Sequence, residues 1–260
     1  MCDSELHLLK GLRGALEAHR YLCEMGFLHG NINAGNVLLY NIDEEAKKGS
    51  QGFLLDVELA LVKPPFLNQK ETVNAPPIQR TPGVYTLPTT RTHNHFDADP
   101  ILHSTSDMLG TVQFMAWEVL CAIASGEEIE RRPHHDVESF VWVLAYSVMR
   151  LVATKMRKDT TVSSKALSNF QKYFKDCFSP GSARTISAAR LSLFPLTWTC
   201  ESLYEDATRQ ISQTLANLFE ELSSTIYMSA NPVPKHRIYM THDKLLNLLD
   251  AAIEELETVQ

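Results

Sequence analysis

The chain has 260 residues, 44% of them apolar, with a net charge of −7 and a pI near 5.8. That length holds one large domain or two small ones around an ordinary core, and nothing in the acidic balance suggests a nucleic-acid-binding surface, so no nucleic-acid partner is expected. The five cysteines (Cys2, Cys23, Cys121, Cys177, Cys200) are scattered, without a C-x-x-C pair. They signal neither a zinc motif nor a disulfide framework, and reduced thiols in an intracellular compartment, cytoplasmic or nuclear, are expected. The N-terminus has no signal-peptide core. The most apolar run, Phe140 to Ala153, is too short to span a bilayer and contains Arg150, so no membrane association is expected.

Leu8, Leu12, Ala15, Leu16, His19, Leu22 and Cys23 recur at spacings of three and four, which predicts an amphipathic helix over about residues 4–25, closed by Gly26. The next stretch, Phe27-Leu28-His29-Gly30-Asn31-Ile32-Asn33-Ala34-Gly35-Asn36-Val37-Leu38-Leu39, is apolar at both ends and polar in the middle. It reads as a loop dense in His and Asn, held between the helix and a short strand at Val37–Tyr40. Residues 41–52 are charged and end in glycine, as a solvated hairpin connection does; Phe53-Leu54-Leu55 is the returning strand, followed by Asp56-Val57-Glu58.

Residues 62–106 carry Pro64, Pro65, Pro76, Pro77, Pro82, Pro88 and Pro100 with little apolar periodicity, and predict a long irregular segment open to early proteolysis. His93, His95, Asp97, Asp99 and His103 within it match no defined zinc spacing and read as a solvated group; Thr81-Pro82 and the threonines of 86–92 are candidate phosphorylation sites by composition. Periodic structure resumes at Gly110–Leu120. Asp136, a plausible N-cap with Ser139 three residues on, opens an apolar run to Ala153 that predicts a helix buried nearly all round. Further helices are expected over Lys165–Phe178, Ala183–Phe194 and Asp206–Ser224. A last one is capped by Thr241 and carries Leu245, Leu246, Leu248, Leu249, Ala252, Ile253 and Leu256.

The His29 loop resembles the catalytic loop of protein kinases, His-Arg-Asp, four residues, then Asn. Here Gly30 stands for the Arg, Asn31 for the catalytic Asp, and Asn36 has the right spacing. Asp56 stands at the Asp-Phe-Gly position, with Val57 and Glu58 replacing the Phe and Gly. Gly110-Thr111 to Glu118 resembles the block ending in Ala-Pro-Glu, with Trp117 in place of the Pro. Residues 52–60, 110–120 and 134–144 together are similar to the fungal-type protein kinase family, in which loss of the Gly after the metal-binding Asp is usual.

That resemblance implies a mainly α (α+β) fold: the C-terminal lobe of a protein kinase with a small β-hairpin at the catalytic loop. The lobe would span residues 1–260, with the motifs in about 5–155, the irregular insert at 62–106 and a helical remainder at 156–260. No Gly-rich loop, strand lysine or partner glutamate precedes the loop, so the N-terminal lobe is expected to be absent: either the gene product is longer, or this is a lobe without its lid. By the resemblance Asn36 and Asp56 are ligands of Mg²⁺ and nucleotide, Asn31 occupies the catalytic place, and ATP and Mg²⁺ are the cofactors. His29, Glu118 and Asp136 are structural. Asp136 accepts hydrogen bonds from the catalytic-loop backbone, caps its helix, or does both.

An amide cannot take up a substrate proton as a carboxylate can. The first functional expectation is therefore a degenerate kinase acting as a binding or regulatory module, with a protein partner on the face a missing lobe would leave, near Val37, Leu39 and Leu55. The alternatives are an active phosphotransferase, on Ser/Thr or a small molecule, and a decayed frame that folds poorly.

Overall fold

The computed structural model describes residues 4–39, 51–57, 60–62, 112–178, 181–193, 196–230 and 234–259. Beyond Val62, the irregular segment expected at 62–106 lies outside them, with its histidines, aspartates and threonines.

One helix organises the rest. α3, Pro133–Lys158, buries Val137, Phe140, Val141, Trp142, Val143, Leu144, Ala145, Val148, Met149, Val152, Ala153 and Met156. These residues point in every direction round the helix, so it needs neighbours on all sides. α1 (Glu5–Glu24), α4 (Ser164–Phe178) and α8 (His242–Val259) are among them, with α7 (Gln213–Ser229) packed on α8. α2 (Trp117–Ser125) and α5 (Ala183–Leu193) pair over a smaller second cluster of Val112, Met115, Val119, Leu120 and Ile186. The described residues are mainly helical, as expected.

Three boundaries differ from expectation. α3 starts three residues before Asp136: Pro133 takes the first position, where its missing N–H costs nothing, and the backbone N–H of Arg132 donates to His135 Nδ1 at 3.0 Å. Asp136 is therefore not an N-cap. At 26 residues α3 is also long and apolar enough to cross a membrane, unlike the shorter run read from the sequence, but 72% of its most apolar window is buried inside the protein. Finally, the helix expected over Asp206–Ser224 is two. α6 (Glu205–Thr208) stops, and Ser212 caps α7 through Oγ, which accepts from Leu215 N at 3.1 Å. The break is held from outside: Lys155 Nζ donates to Gln210 O at 2.8 Å, and Ser212 N donates to the Glu5 carboxylate at 3.2 Å.

Ser4 caps α1, accepting from His7 N at 3.1 Å. After α1 the chain forms two short antiparallel ladders. β2 (Val37–Leu39) pairs with β3 (Gly52–Leu54), Leu38 opposite Phe53. β1 (Phe27–Leu28) pairs with β4 (Leu61–Val62), a ladder the sequence did not suggest. The first lies hard against α1: a Cβ on Gly52 would sit 1.7 Å from Gly11 O, and one on Gly11 would sit 2.2 Å from a methyl of Leu39. Only glycine fits at this crossing. The same contact corrects the expected apolar face. Val37 is buried and Leu39 half-buried, while Phe27, Leu38, Phe53 and Leu55 are exposed.

Candidate functional site

The loop after β1 is built almost wholly by its own polar side chains. His29 Nε2 donates to Leu55 O at 2.7 Å, while its Nδ1 accepts from Asn31 N at 3.3 Å, which fixes the tautomer. Leu55 N donates to Asn36 O at 2.9 Å. Both backbone groups of Leu55 are thereby pinned, and Asp56 follows immediately with φ 59°, the one non-glycine at positive φ among the described residues. Aspartate tolerates this region better than most residues, at a cost of about 1–2 kcal/mol. Backbone strain of that size is held in place by the two bonds on Leu55.

Asn33 ties the other side. Its Oδ1 accepts from Gly35 N at 2.7 Å and Asn36 N at 3.2 Å, and its Nδ2 donates to Asn31 Oδ1 at 3.1 Å. Asn36 is buried, and its Nδ2 donates to Asn31 O at 3.0 Å. Asn31, Asn33 and Asn36 are thus one hydrogen-bonded group, and the Leu55 N–H on Asn36 O brings the residue before Asp56 to its edge. The reading from sequence missed Asn33, although Asn followed two residues later by Gly is an Asx-turn signal.

The whole loop hangs from Asp136. Its Oδ2 accepts from Gly30 N at 2.8 Å and from His19 Nε2 at 3.1 Å, and Arg131 approaches Oδ1 at 3.5 Å while donating to Gly30 O at 3.1 Å. Gly30 sits at φ 74°, a conformation that an Arg in its place would strain. Burial alone would raise the Asp136 pKa; the bond from His19, the charge of Arg131 and the bond from Gly30 outweigh it and hold the carboxyl below its ordinary range.

Glu118 lies elsewhere, at the start of α2. Its carboxylate takes Arg237 at 2.6 Å and His135 Nε2 at 3.1 Å, with His134 at 3.6 Å. Burial works to raise its pKa, but the His135 bond and the cations prevail and lower it. Burial also pushes the His135 pKa down to about 4. One turn of α3 thus serves two regions, because Glu138, also buried, accepts from Trp117 N at 2.7 Å and Trp142 Nε1 at 3.1 Å. A proline at position 117 would have no N–H to give. Burial raises the pKa of Glu138. Arg190 of α5 lies over the Trp142 ring at 4.2 Å and donates to Met115 O and Gln113 O. Burial lowers its pKa to about 9. Neither Glu138 nor Arg190 carried a sequence signal, since their partners are far away along the chain.

A strained aspartate following a His/Asn loop that hangs on a buried helical carboxylate is the arrangement that the protein-kinase resemblance implies. The family model for fungal protein kinases matches residues 1–148, more than half of the chain, and the chain belongs to that family. No curated protein matches it.

Proposed function

We propose that this chain is the C-terminal lobe of a fungal-type protein kinase that has lost phosphotransfer, a pseudokinase serving as a binding or regulatory module. Asn31 carries the reading. It stands in the place of the catalytic Asp, and its Oδ1 is already engaged by Asn33. A neutral amide oxygen accepts a hydrogen bond from a substrate hydroxyl but cannot take its proton. Asn36 and Asp56 still suit Mg²⁺ chemically: with Nδ2 committed to Asn31 O, the Asn36 side chain offers its oxygen, and Asp56 offers a carboxylate on a fixed backbone. When bound, Mg²⁺ would neutralise nucleotide phosphate charge. The exposed side chains of Phe27, Leu38, Phe53 and Leu55 supply the surface for a protein partner or a further lobe.

One observation favours the second reading, an active Ser/Thr or small-molecule kinase. The positive φ of Asp56 is maintained although Val57 and Glu58 replace the residues that usually follow it. The assay is transfer of labelled γ-phosphate with Mg²⁺ in the longest gene product that carries this chain. The native protein is expected to show none. Robust transfer that disappears in Asp56→Ala overturns the pseudokinase reading.

A further inference from the structure

α1 and α8 bring three metal-type side chains together beside Asp136. His19 and Cys23 are one turn apart on α1 and so share a face. His242 opens α8. Their ligand atoms all lie within 4.8 Å of one another. His19 Nδ1 is 2.8 Å from His242 Nε2, and Cys23 Sγ is 3.8 Å from His19 Nδ1 and 3.7 Å from His19 Nε2.

We propose that His19 Nδ1, Cys23 Sγ and His242 Nε2 form a binding site for a divalent transition metal of the Zn²⁺ type, with water in the fourth position.

Geometry supports it first. On a tetrahedral zinc two imidazole nitrogens stand about 3.3 Å apart, and a nitrogen and a thiolate about 3.6 Å. The Cys23–His19 separation is already of that size. The two imidazoles need to part by about 0.5 Å, and Cys23 needs a turn about χ1 to bring its sulfur from above the ring into line with Nδ1. The tautomer supports it second. His19 Nε2 donates to the fully buried Asp136 carboxylate, so the Nδ1 lone pair is the one aimed at the site. A carboxylate behind a ligating histidine is the usual outer partner of zinc, orienting the ring and raising its basicity. In the metal-free chain His242 Nε2–H donates to His19 Nδ1; on binding, that proton moves to His242 Nδ1, which frees Nε2 to ligate, and the Cys23 thiol loses its proton to solvent so that the sulfur ligates as thiolate.

A second group of the right types, Glu118, His134 and His135, fails the same tests. His135 Nδ1 already accepts the Arg132 N–H, so its Nε2 carries the proton that faces Glu118, and Arg237 occupies the carboxylate. In the His19 group the carboxylate sits behind the ring and the His19 Nδ1 lone pair is directed inward. Metal there would fasten the end of α1 to the start of α8 and, through Asp136, stiffen the support of the catalytic loop.

Co²⁺ tests this directly, because a tetrahedral site with thiolate gives intense visible bands and a sulfur-to-cobalt charge-transfer band. The native chain is expected to bind one equivalent with both signatures, to release it to Zn²⁺, and to show a rise in Tm with Zn²⁺ concentration. Cys23→Ser is expected to abolish the charge-transfer band, and His242→Gln to weaken binding at least tenfold. Both positions are only partly buried, and retained helicity by circular dichroism confirms that they fold. Cys121→Ser, on α2, is expected to leave the spectrum unchanged. Absence of a tetrahedral Co²⁺ spectrum in the native chain, or a charge-transfer band that survives in Cys23→Ser, overturns the site.

Discussion

Asp136 and Glu138 sit two residues apart on the same turn of α3, at 0% and 4% exposure, yet the fold drives their acidities in opposite directions. Burial pushes both towards the neutral form. Asp136 resists because His19, Arg131 and the Gly30 N–H converge on it; Glu138 meets two neutral donors, Trp117 N–H and Trp142 Nε1–H, with Arg190 acting only through its charge. Depth does not decide whether a buried carboxyl is ionised; the charge and number of its donors do. The helix therefore holds the His29 loop and the 112–120 block through two carboxyl groups whose pKa values move in opposite directions.

Three measurements would sharpen or break that contrast. The largest effect is expected for Asp136→Ala, which leaves the Gly30 N–H and Arg131 facing a void beside His19. Urea unfolding should show a loss of about 3–5 kcal/mol, the usual cost of breaking a buried pair from one side; a loss under about 1 kcal/mol would mean that the loop does not depend on this anchor.

The second is acid unfolding. His135 and His242 have pKa values depressed to about 4, each chiefly by burial. Unfolded histidine binds its proton near pH 6.5, so between pH 6.5 and 4 the unfolded chain holds more protons and stability falls as pH falls. The Asp136 contribution is present above the unfolded carboxylate value of about 3.9 and is lost only as pH drops through its lower folded value. Glu138 acts in the opposite sense: its pKa is raised, so its contribution declines as pH rises through the folded value. His242→Gln should flatten the slope of stability against pH, and Glu138→Gln should steepen it. A stability flat between pH 6.5 and 4 in the Glu138→Gln variant, where the opposing carboxyl is gone, would contradict both histidine assignments.

The smallest effect is expected for Glu138→Gln at neutral pH. Both donors bind Oε1, which an amide retains, and Arg190 keeps its two backbone carbonyls, so the loss should be about 1 kcal/mol or less. Asp136→Asn should cost clearly more. Equal losses for the two amide variants would show that charge makes no difference between the sites.

Much of this arrangement was legible in the sequence. The apolar run of α3, the periodicity of α1 and the order of His29, Asn36, Asp56 and Asp136 are local or ordered signals, and the mainly helical fold follows from them. The start of α3 was misplaced because Asp136 looks like a cap, whereas Pro133 was the better marker. Ser212 was likewise a visible cap that the apolar spacing on either side concealed. Glu138 with Arg190, and His19 with His242, were beyond reach, since nothing in a one-dimensional pattern announces that residues 52 or 223 positions apart will share a bond or a charge. The direction of the hairpin's apolar side chains was also hidden, because it is set by how closely β3 approaches α1.

That approach has a consequence for how the hairpin can shift. With Gly52 seated on the Gly11 carbonyl, the ladder works like a key in a keyway: sliding it by one residue would bring Gln51 or Phe53, each with a Cβ, into a space that admits none. The register of β2 and β3, and with it the position of Leu55, is therefore indexed on the helix.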